Sequence, residues 1–265
     1  MMRRITNVLL LIICVSLIPA CSTHKKSAAD PYKNFEGKDP HDIFIAGERY
    51  MNEDSYTEAL KNFNAIETLY PFAQDAEQAK LDSIYALYKK DDLPGAITAA
   101  KQFLHLYPRS KHADYAYYMK GVANFETSHG ILSEFLPIDI SERDLTHERE
   151  AFEDFSALLA RFPNSQYALD AQKRMIFLRN ALAQQELSIA HYYMDRGAYV
   201  AAANRASFIV DHFSQAPQTV DALAVMVDAY RRLKLNDLAN QTLAILKENY
   251  PNSRQYRHLV KTKEA

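Results

Sequence analysis

An aromatic residue followed by proline recurs at Tyr70-Pro71, Tyr107-Pro108, Phe162-Pro163 and Tyr250-Pro251, and Phe213-Ser214 stands where a further copy falls. Twelve residues before the second member of each pair lies an alanine: Ala59, Ala96, Ala151, Ala202 and Ala239. The tetratricopeptide pattern, roughly 34 residues long, places small residues near its eighth and twentieth positions, aromatics near its eleventh and twenty-fourth, and proline near its thirty-second. Gly47, Tyr50, Ala59, Phe63 and Pro71 fill those places in order; Ala190, Tyr193 and Ala202, then Tyr230, Ala239, Leu243 and Pro251, fill them in part. Two antiparallel helices approach closely only where small residues face each other, and aromatics fill the wedge left beside that contact. Proline ends the second helix because it lacks an N–H and disfavours helical geometry in the residue before it. Ser110, Ser165 or Ser253 can then cap the next helix. The expectation is an all-α superhelix of about five tetratricopeptide (TPR) helical hairpins.

Successive repeat ends lie 37, 55, 51 and 37 residues apart, so two intervals are too long. The first contains Thr127 to Thr146, with Gly130, Pro137 and a polar run, and reads as an insert between the two helices of the third repeat. Its Ile131, Leu132, Phe135, Leu136 and Ile138 must fold back on the array or meet a partner. The second interval has no Gly or Pro from Gln166 to Met194, which predicts a first helix extended at its start. The array is expected to divide into residues 41–165, with repeats 1–3 and an insert at 127–146, and residues 166–265, with repeats 4–5.

Upstream, Arg3 and Arg4 precede an apolar run from Ile5 to Ile18. It falls short of the roughly 20 residues a spanning helix needs and matches the hydrophobic region of a signal peptide, expected over residues 1–20. Leu17-Ile18-Pro19-Ala20-Cys21-Ser22 resembles the lipobox of bacterial lipoproteins, which implies lipidation of Cys21. Cys14, the other cysteine, lies within the signal, so the mature chain has no thiol pair for a disulfide or a cysteine-rich zinc site. The alternative is an ordinary secretory signal followed by a chance cysteine. Ser22, where the enterobacterial sorting rule has Asp for retention in the inner membrane, implies the outer membrane. Residues 21–40 have the polar, Pro- and Gly-containing composition of a tether.

The formal net charge of −2 becomes −4 without Arg3 and Arg4, which leaves no basic field for nucleic acid. The sequence holds no G-x-S-x-G elbow, Gly-rich phosphate loop or H-E-x-x-H. The nine histidines are dispersed; His147-Glu148 and His191 lack a second ligand at helical spacing. No catalytic residue, metal or cofactor is expected.

Binding remains. The first helix of each repeat lines the concave face of such a superhelix. In repeats 2 and 3 that face should present Leu81, Tyr85, Tyr88, Tyr115, Tyr118, Val122 and Phe125, with Lys89 and Lys120 near enough to meet a carboxylate. The same residues could instead fill the core between repeats, as aromatics at helical spacing often do.

Beyond the repeat consensus, ETLYPF at 67–72, DDLP at 91–94, AFEDFS at 151–156, FPNSQY at 162–167, KRMIFL at 173–178, YYMDRGAYV at 192–200 and Asn204-Arg205 give the chain a likeness over nearly its whole length. It resembles the BamD (ComL) family of outer-membrane assembly lipoproteins. The departures are Ser214 in place of proline and the residues after Lys247. The resemblance implies a non-enzymatic subunit of the β-barrel assembly (BAM) complex, lipid-anchored at the periplasmic face of the outer membrane. Its implied partners are the periplasmic domain of BamA, other BAM lipoproteins and unfolded outer-membrane β-barrel proteins. It also implies that the C-terminal repeats dock on BamA and that the N-terminal repeats receive the aromatic-ending targeting strand of unfolded barrel proteins. An aromatic groove with a nearby cation suits such a ligand, so Tyr85, Tyr88, Tyr118 and Phe125 are expected to meet substrate, and Arg196, Gly197, Tyr199 and Arg205 to contribute to the BamA surface. The alternative is a repeat lipoprotein of another envelope machine, such as a type IV pilus pilotin or a cell-wall coordinator.

Overall fold

The computed structural model describes residues 30–128 and 144–264. The signal peptide, Cys21, the tether as far as residue 29, and residues 129–143 of the expected insert lie outside the described residues. Two units are distinguished. In the first, Met1–Gly37, the described part contains one 3-10 turn, Lys33–Phe35.

The second unit, Lys38–Ala265, holds the repeats. Among the described residues there are eleven α-helices and no strand: α1 Pro40–Asn52, α2 Tyr56–Leu69, α3 Ala76–Lys89, α4 Leu93–Leu106, α5 Ala113–Ser128, α6 Thr146–Arg161, α7 Ala168–Asp195, α8 Tyr199–His212, α9 Thr219–Arg232, α10 Asn236–Asn249 and α11 Arg254–Glu264. Each packs chiefly on its neighbours in sequence, as in a solenoid. The pairs α1–α2, α3–α4, α5–α6, α7–α8 and α9–α10 are five tetratricopeptide-type hairpins, and α11 covers the end of the last.

The five alanines that mark the repeat are buried at the closest approach of each hairpin, four of them without any exposed surface. A Cβ built on Gly47 would stand 2.5 Å from the Phe63 ring, and one on Gly121 would stand 2.7 Å from the Phe155 ring. A large residue of the second helix thus seats directly on backbone of the first.

Four hairpin turns share one geometry. Asp54, Asp91, Gly197 and Lys234 adopt positive φ, between 54° and 73°. The following N–H of Ser55, Asp92, Ala198 or Leu235 reaches back to the carbonyl five residues earlier, satisfying the open helix end. Between repeats, Tyr70, Tyr107, Phe162, Phe213 and Tyr250 share φ between −122° and −135°. Phe213 does so with Ser214 after it, so proline reinforces this stop without being required for it. Ser110 and Ser165 accept the N–H of His112 and Tyr167 in the loops ahead of α5 and α7, while Ser253 caps α11 through Tyr256.

Helix α7 starts five residues after Pro163, the offset at which α3 and α5 follow Pro71 and Pro108, and then runs for 28 residues. Its first half joins Val122, Ala151, Phe155 and Leu158 through Ala171 and Leu178. Its second half joins α8 and α9 through Leu182, Ala183, Leu187 and Ala190. The packing partner changes between Leu178 and Leu182.

Candidate functional site

The first helices of repeats 2 and 3, α3 and α5, gather aromatic side chains together with the start of α7 and the loop before it. Tyr118 stacks on Tyr167 with ring centroids 4.6 Å apart and planes within 15°. Its hydroxyl donates to Asp170 at 3.0 Å. Tyr115 meets the same Tyr167 ring at 5.6 Å, and its burial pushes its phenol well above the usual range. Tyr88, pushed up to about 12 by burial and then by its bond to the acceptor Glu126 at 2.6 Å, lies beside the half-exposed Tyr85. Phe125 has the Arg174 guanidinium 5.0 Å over its face and the exposed Phe177 ring at 5.9 Å, edge-on. Cations are attracted to the negative face of an aromatic ring at this distance. Arg174 Nε also donates to Asp170 at 2.6 Å. Burial opposes the charge on Asp170, and the bonds from Arg174 and Tyr118 outweigh it, holding the carboxyl below its usual range.

Of the aromatic-stripe residues, Tyr85, Tyr88, Tyr115, Tyr118 and Phe125 form this surface. Leu81 and Val122 do not, since both are buried in the packing between repeats. The cation also differs from expectation. Lys120 pairs at 2.6 Å with Asp154, which also accepts from Asn124, and Lys89 sits 5.9 Å from the Tyr56 ring. The cation that lies directly against the aromatic surface is Arg174, over the Phe125 ring. Tyr167, which caps the start of α7, and Asp170, Arg174 and Phe177 within it follow one face at helical spacing, a pattern visible in the sequence; which face met α5 depended on packing between repeats.

At the turn of repeat 4, Arg196 lies 4.6 Å over the exposed Tyr192 ring. Gly197 has φ +73°, and a Cβ there would meet nothing closer than the Tyr199 hydroxyl at 3.9 Å, so backbone conformation alone selects glycine. Val200 beside them is exposed. Arg205 stands apart, six residues along α8, where it donates to the buried Glu186 at 3.0 Å. Arg196, Gly197 and Tyr199 therefore form one exposed corner, with Arg205 further along the hairpin.

A third feature lies between repeats 3 and 4, a cleft of about 430 Å³ lined by Phe152, Leu159, Met175, Ile176 and Phe213, with Arg179 bonded to Gln215 at its edge. Among the described residues, no cluster of His, Cys, Asp and Glu is placed to hold a metal, and no helix is long and apolar enough to cross a membrane.

Residues 36–246 match the family model YfiO, described as outer membrane lipoprotein. Outer membrane protein assembly factor BamD of Neisseria gonorrhoeae is 38% identical over 211 residues, covering 80% of this chain and 79% of that protein. The BamD proteins of Haemophilus influenzae and Pasteurella multocida are 35% and 32% identical over 248 residues, each covering 94% of this chain and 92% of the relative. The crystal structure of PilW, a type IV pilus biogenesis factor, aligns at 15% identity over 83% of this chain and 98% of its own, with a TM-score of 0.37, too loose a superposition to bear on function. The extent of the first matches settles the relationship: the chain belongs to the BamD (YfiO) family of outer membrane protein assembly factors.

Proposed function

We propose that the chain is a non-enzymatic, lipid-anchored subunit of the β-barrel assembly complex, held at the periplasmic face of the outer membrane through Cys21. Its repeats 1–3, residues 41–165, receive the aromatic-ending targeting strand of unfolded barrel proteins, and its repeats 4–5, residues 166–265, dock on the periplasmic domain of BamA. Other BAM lipoproteins bind the same array. The observation that carries this reading is the aromatic surface around Arg174. A strand with alternating aromatic side chains and a terminal carboxylate finds π-faces in Tyr85, Tyr118 and Phe177 and a cation in Arg174. The Arg174 side chain is 26% exposed, so it keeps accessible surface while bonded to Asp170.

The opposite function falls to the repeat-4 corner. Arg196 is exposed, and its one described contact is with the exposed Tyr192, so reversing its charge disturbs little else. Arg205 belongs to the same proposed surface, but removing it would also strip the buried Glu186 of its partner. The test is a pull-down of the tagged full-length protein from detergent-solubilised outer membranes, together with crosslinking to a peptide carrying a barrel C-terminal strand. Arg196→Glu should lose BamA and keep the peptide; Tyr118→Ala with Arg174→Ala should keep BamA and lose the peptide. Absence of BamA from the wild-type pull-down under mild conditions would reject the assembly reading in favour of another envelope machine.

A further inference from the structure

Helices α3, α5, α7 and α9 each begin five residues after the second member of the aromatic pair that ends the preceding repeat. Eight residues further in, α3, α5 and α9 place Ile84, Gly121 and Val227 against their own second helices, and all three are buried. Counted from the same start, α7 places Ile176 at this position; matched at its end instead, it places Ala190 there, fourteen residues on. Ala190 is covered by α8 through Ala202 and Ala206. Ile176 is 52% exposed. Helix α8 ends at His212, and the loop after it meets α7 at Arg179, whose guanidinium donates to Gln215 at 2.8 Å. From Ala168 to Arg179, therefore, α7 is a first helix with no second helix beside it among the described residues.

The uncovered face is apolar and bordered by cations. Leu169, Gln172 and Ile176 recur at i, i+3 and i+7, and Leu169 is 65% exposed. Beside them runs the cleft walled by Phe152 and Leu159 of α6 and Met175 of α7, with Phe213 from the end of α8. Its ionisable lining residues are Arg179 and His212, and none is a carboxylate. The exposed Lys173 lies between Leu169 and Ile176 at helical spacing. The neighbouring acids do not offset these cations. Asp170 accepts from Arg174 and Tyr118, Asp211 accepts from Ser207, and Glu153 follows Phe152 without lining the cleft.

We propose that this face seats an amphipathic helix of a partner protein, lying along residues 168–179 as the second helix of a hairpin does, with its apolar side on Leu169 and Ile176 and a carboxylate at Arg179. A helix fits because the face repeats the register that a second helix closes in the other repeats, and helix-in-groove binding uses the same spacing of apolar anchors. At 1.5 Å per residue the seat is about 18 Å long, a little over three turns. The residue over Ile176 is small, since Ile84 at the equivalent position packs with Ala100. The acid follows from Arg179, Lys173 and His212, which a carboxylate meets through charge-assisted bonds. A second copy of this chain does not fit, because each of its second helices is already closed into a hairpin. The occupant would touch α6, α7 and the end of α8 together, the elements that join repeats 3 and 4.

The test places the photoreactive benzoylphenylalanine at position 176 of the full-length chain, produced in the bacterium that encodes it, and maps the adducts formed on irradiation by mass spectrometry. Position 106, where Leu106 is 59% exposed elsewhere on the array, carries the same group as the comparison. The expected result is one predominant adduct at position 176, absent at position 106. Its cross-linked segment should repeat apolar residues at i, i+3 or i+4 and i+7, with an alanine among them and an Asp or Glu at their border. A synthetic peptide of that segment should gain helical circular dichroism on mixing with the purified protein. Ile176→Glu and Leu169→Glu should each weaken its binding roughly ten-fold. Both side chains are exposed, so the two variants should melt close to the wild-type temperature. An adduct to residues 129–143 of the same chain, an adduct between two copies, a mapped segment without helical periodicity, or no adduct beyond that at position 106 overturns the inference. Peptide binding that both variants leave unchanged overturns it as well.

Discussion

Three residues beyond the repeat's alanines stand Asn62, Ala99, Asp154, Arg205 and Thr242, facing the first helix of the hairpin or their own helix. Asn62 and Thr242 satisfy themselves on their own helix, at the carbonyls of Glu58 and Leu238. Asp154 and Arg205 instead bridge to the first helix of the hairpin, at Lys120 and Glu186. In this register Lys120 is engaged by Asp154 within the hairpin. Asp154 is 5% exposed, and removing one partner of a buried pair leaves the other charge unsatisfied. Lys120→Met is expected to destabilise the protein by about 3 kcal/mol in urea denaturation, and adding Asp154→Asn, which removes the unpaired charge and keeps an acceptor for the buried Asn124, should recover part of that loss. A wild-type midpoint for Lys120→Met, accompanied by weaker peptide binding, would return Lys120 to the proposed peptide-binding surface.

Within the first three hairpins, the eighth and twenty-fourth repeat positions pair a small residue with a large one: Gly47 with Phe63, Ile84 with Ala100, and Gly121 with Phe155. The last two hairpins do not follow this, with Ala190 and Ala206 both small and Val227 and Leu243 both large. Gly121→Ala is expected to cost about 1–3 kcal/mol, the range for overpacking a filled core. Phe155→Leu on its own also destabilises, by opening space, but the two together should lose less than the sum of the single costs. Strict additivity in thermal or urea unfolding would mean that Gly121 and Phe155 are not coupled through this contact. The alanines, the aromatic–proline stops and the turns were legible in the sequence because each obeys a local rule of backbone geometry or spacing. Gly121 satisfies the same rule as Gly47, but the third repeat's irregular length obscured its register. Arg174 was harder to see for a different reason. Its role depends on the rotation of α7 against α5, which is set by Phe155, Leu158, Ala171 and Leu178 closing on one another between α6 and α7.

At the scale of the array, the interval from Pro163 to Ser214 exceeds the regular 37 residues by fourteen, and α7 absorbs all of them without a break. Fourteen residues add about 21 Å of helix and just under four turns, so the inward face is nearly preserved while repeat 4 is displaced along the helix direction. The displacement leaves the cleft beside Phe152 and Phe213, whose rings still touch edge-on at 5.9 Å. Repeats 3 and 4 are therefore joined by one continuous helix and by Leu145 and Phe152, which pack into the cluster of repeat 4, while each end of α7 packs in its own cluster. A proline at position 180, between Leu178 and Leu182, would remove a backbone hydrogen bond and break the helix where its packing partner changes, at a cost of about 3 kcal/mol. With spin labels at Lys101→Cys and Gln241→Cys, both on exposed helical positions, the parent chain should give one narrow distance distribution. Asn180→Pro should broaden it while circular dichroism retains nearly all the helix signal, because each cluster can hold without the other. An unchanged narrow distribution would instead assign the coupling to the Phe152–Phe213 contact, and Phe152→Ala would then be the variant that releases it.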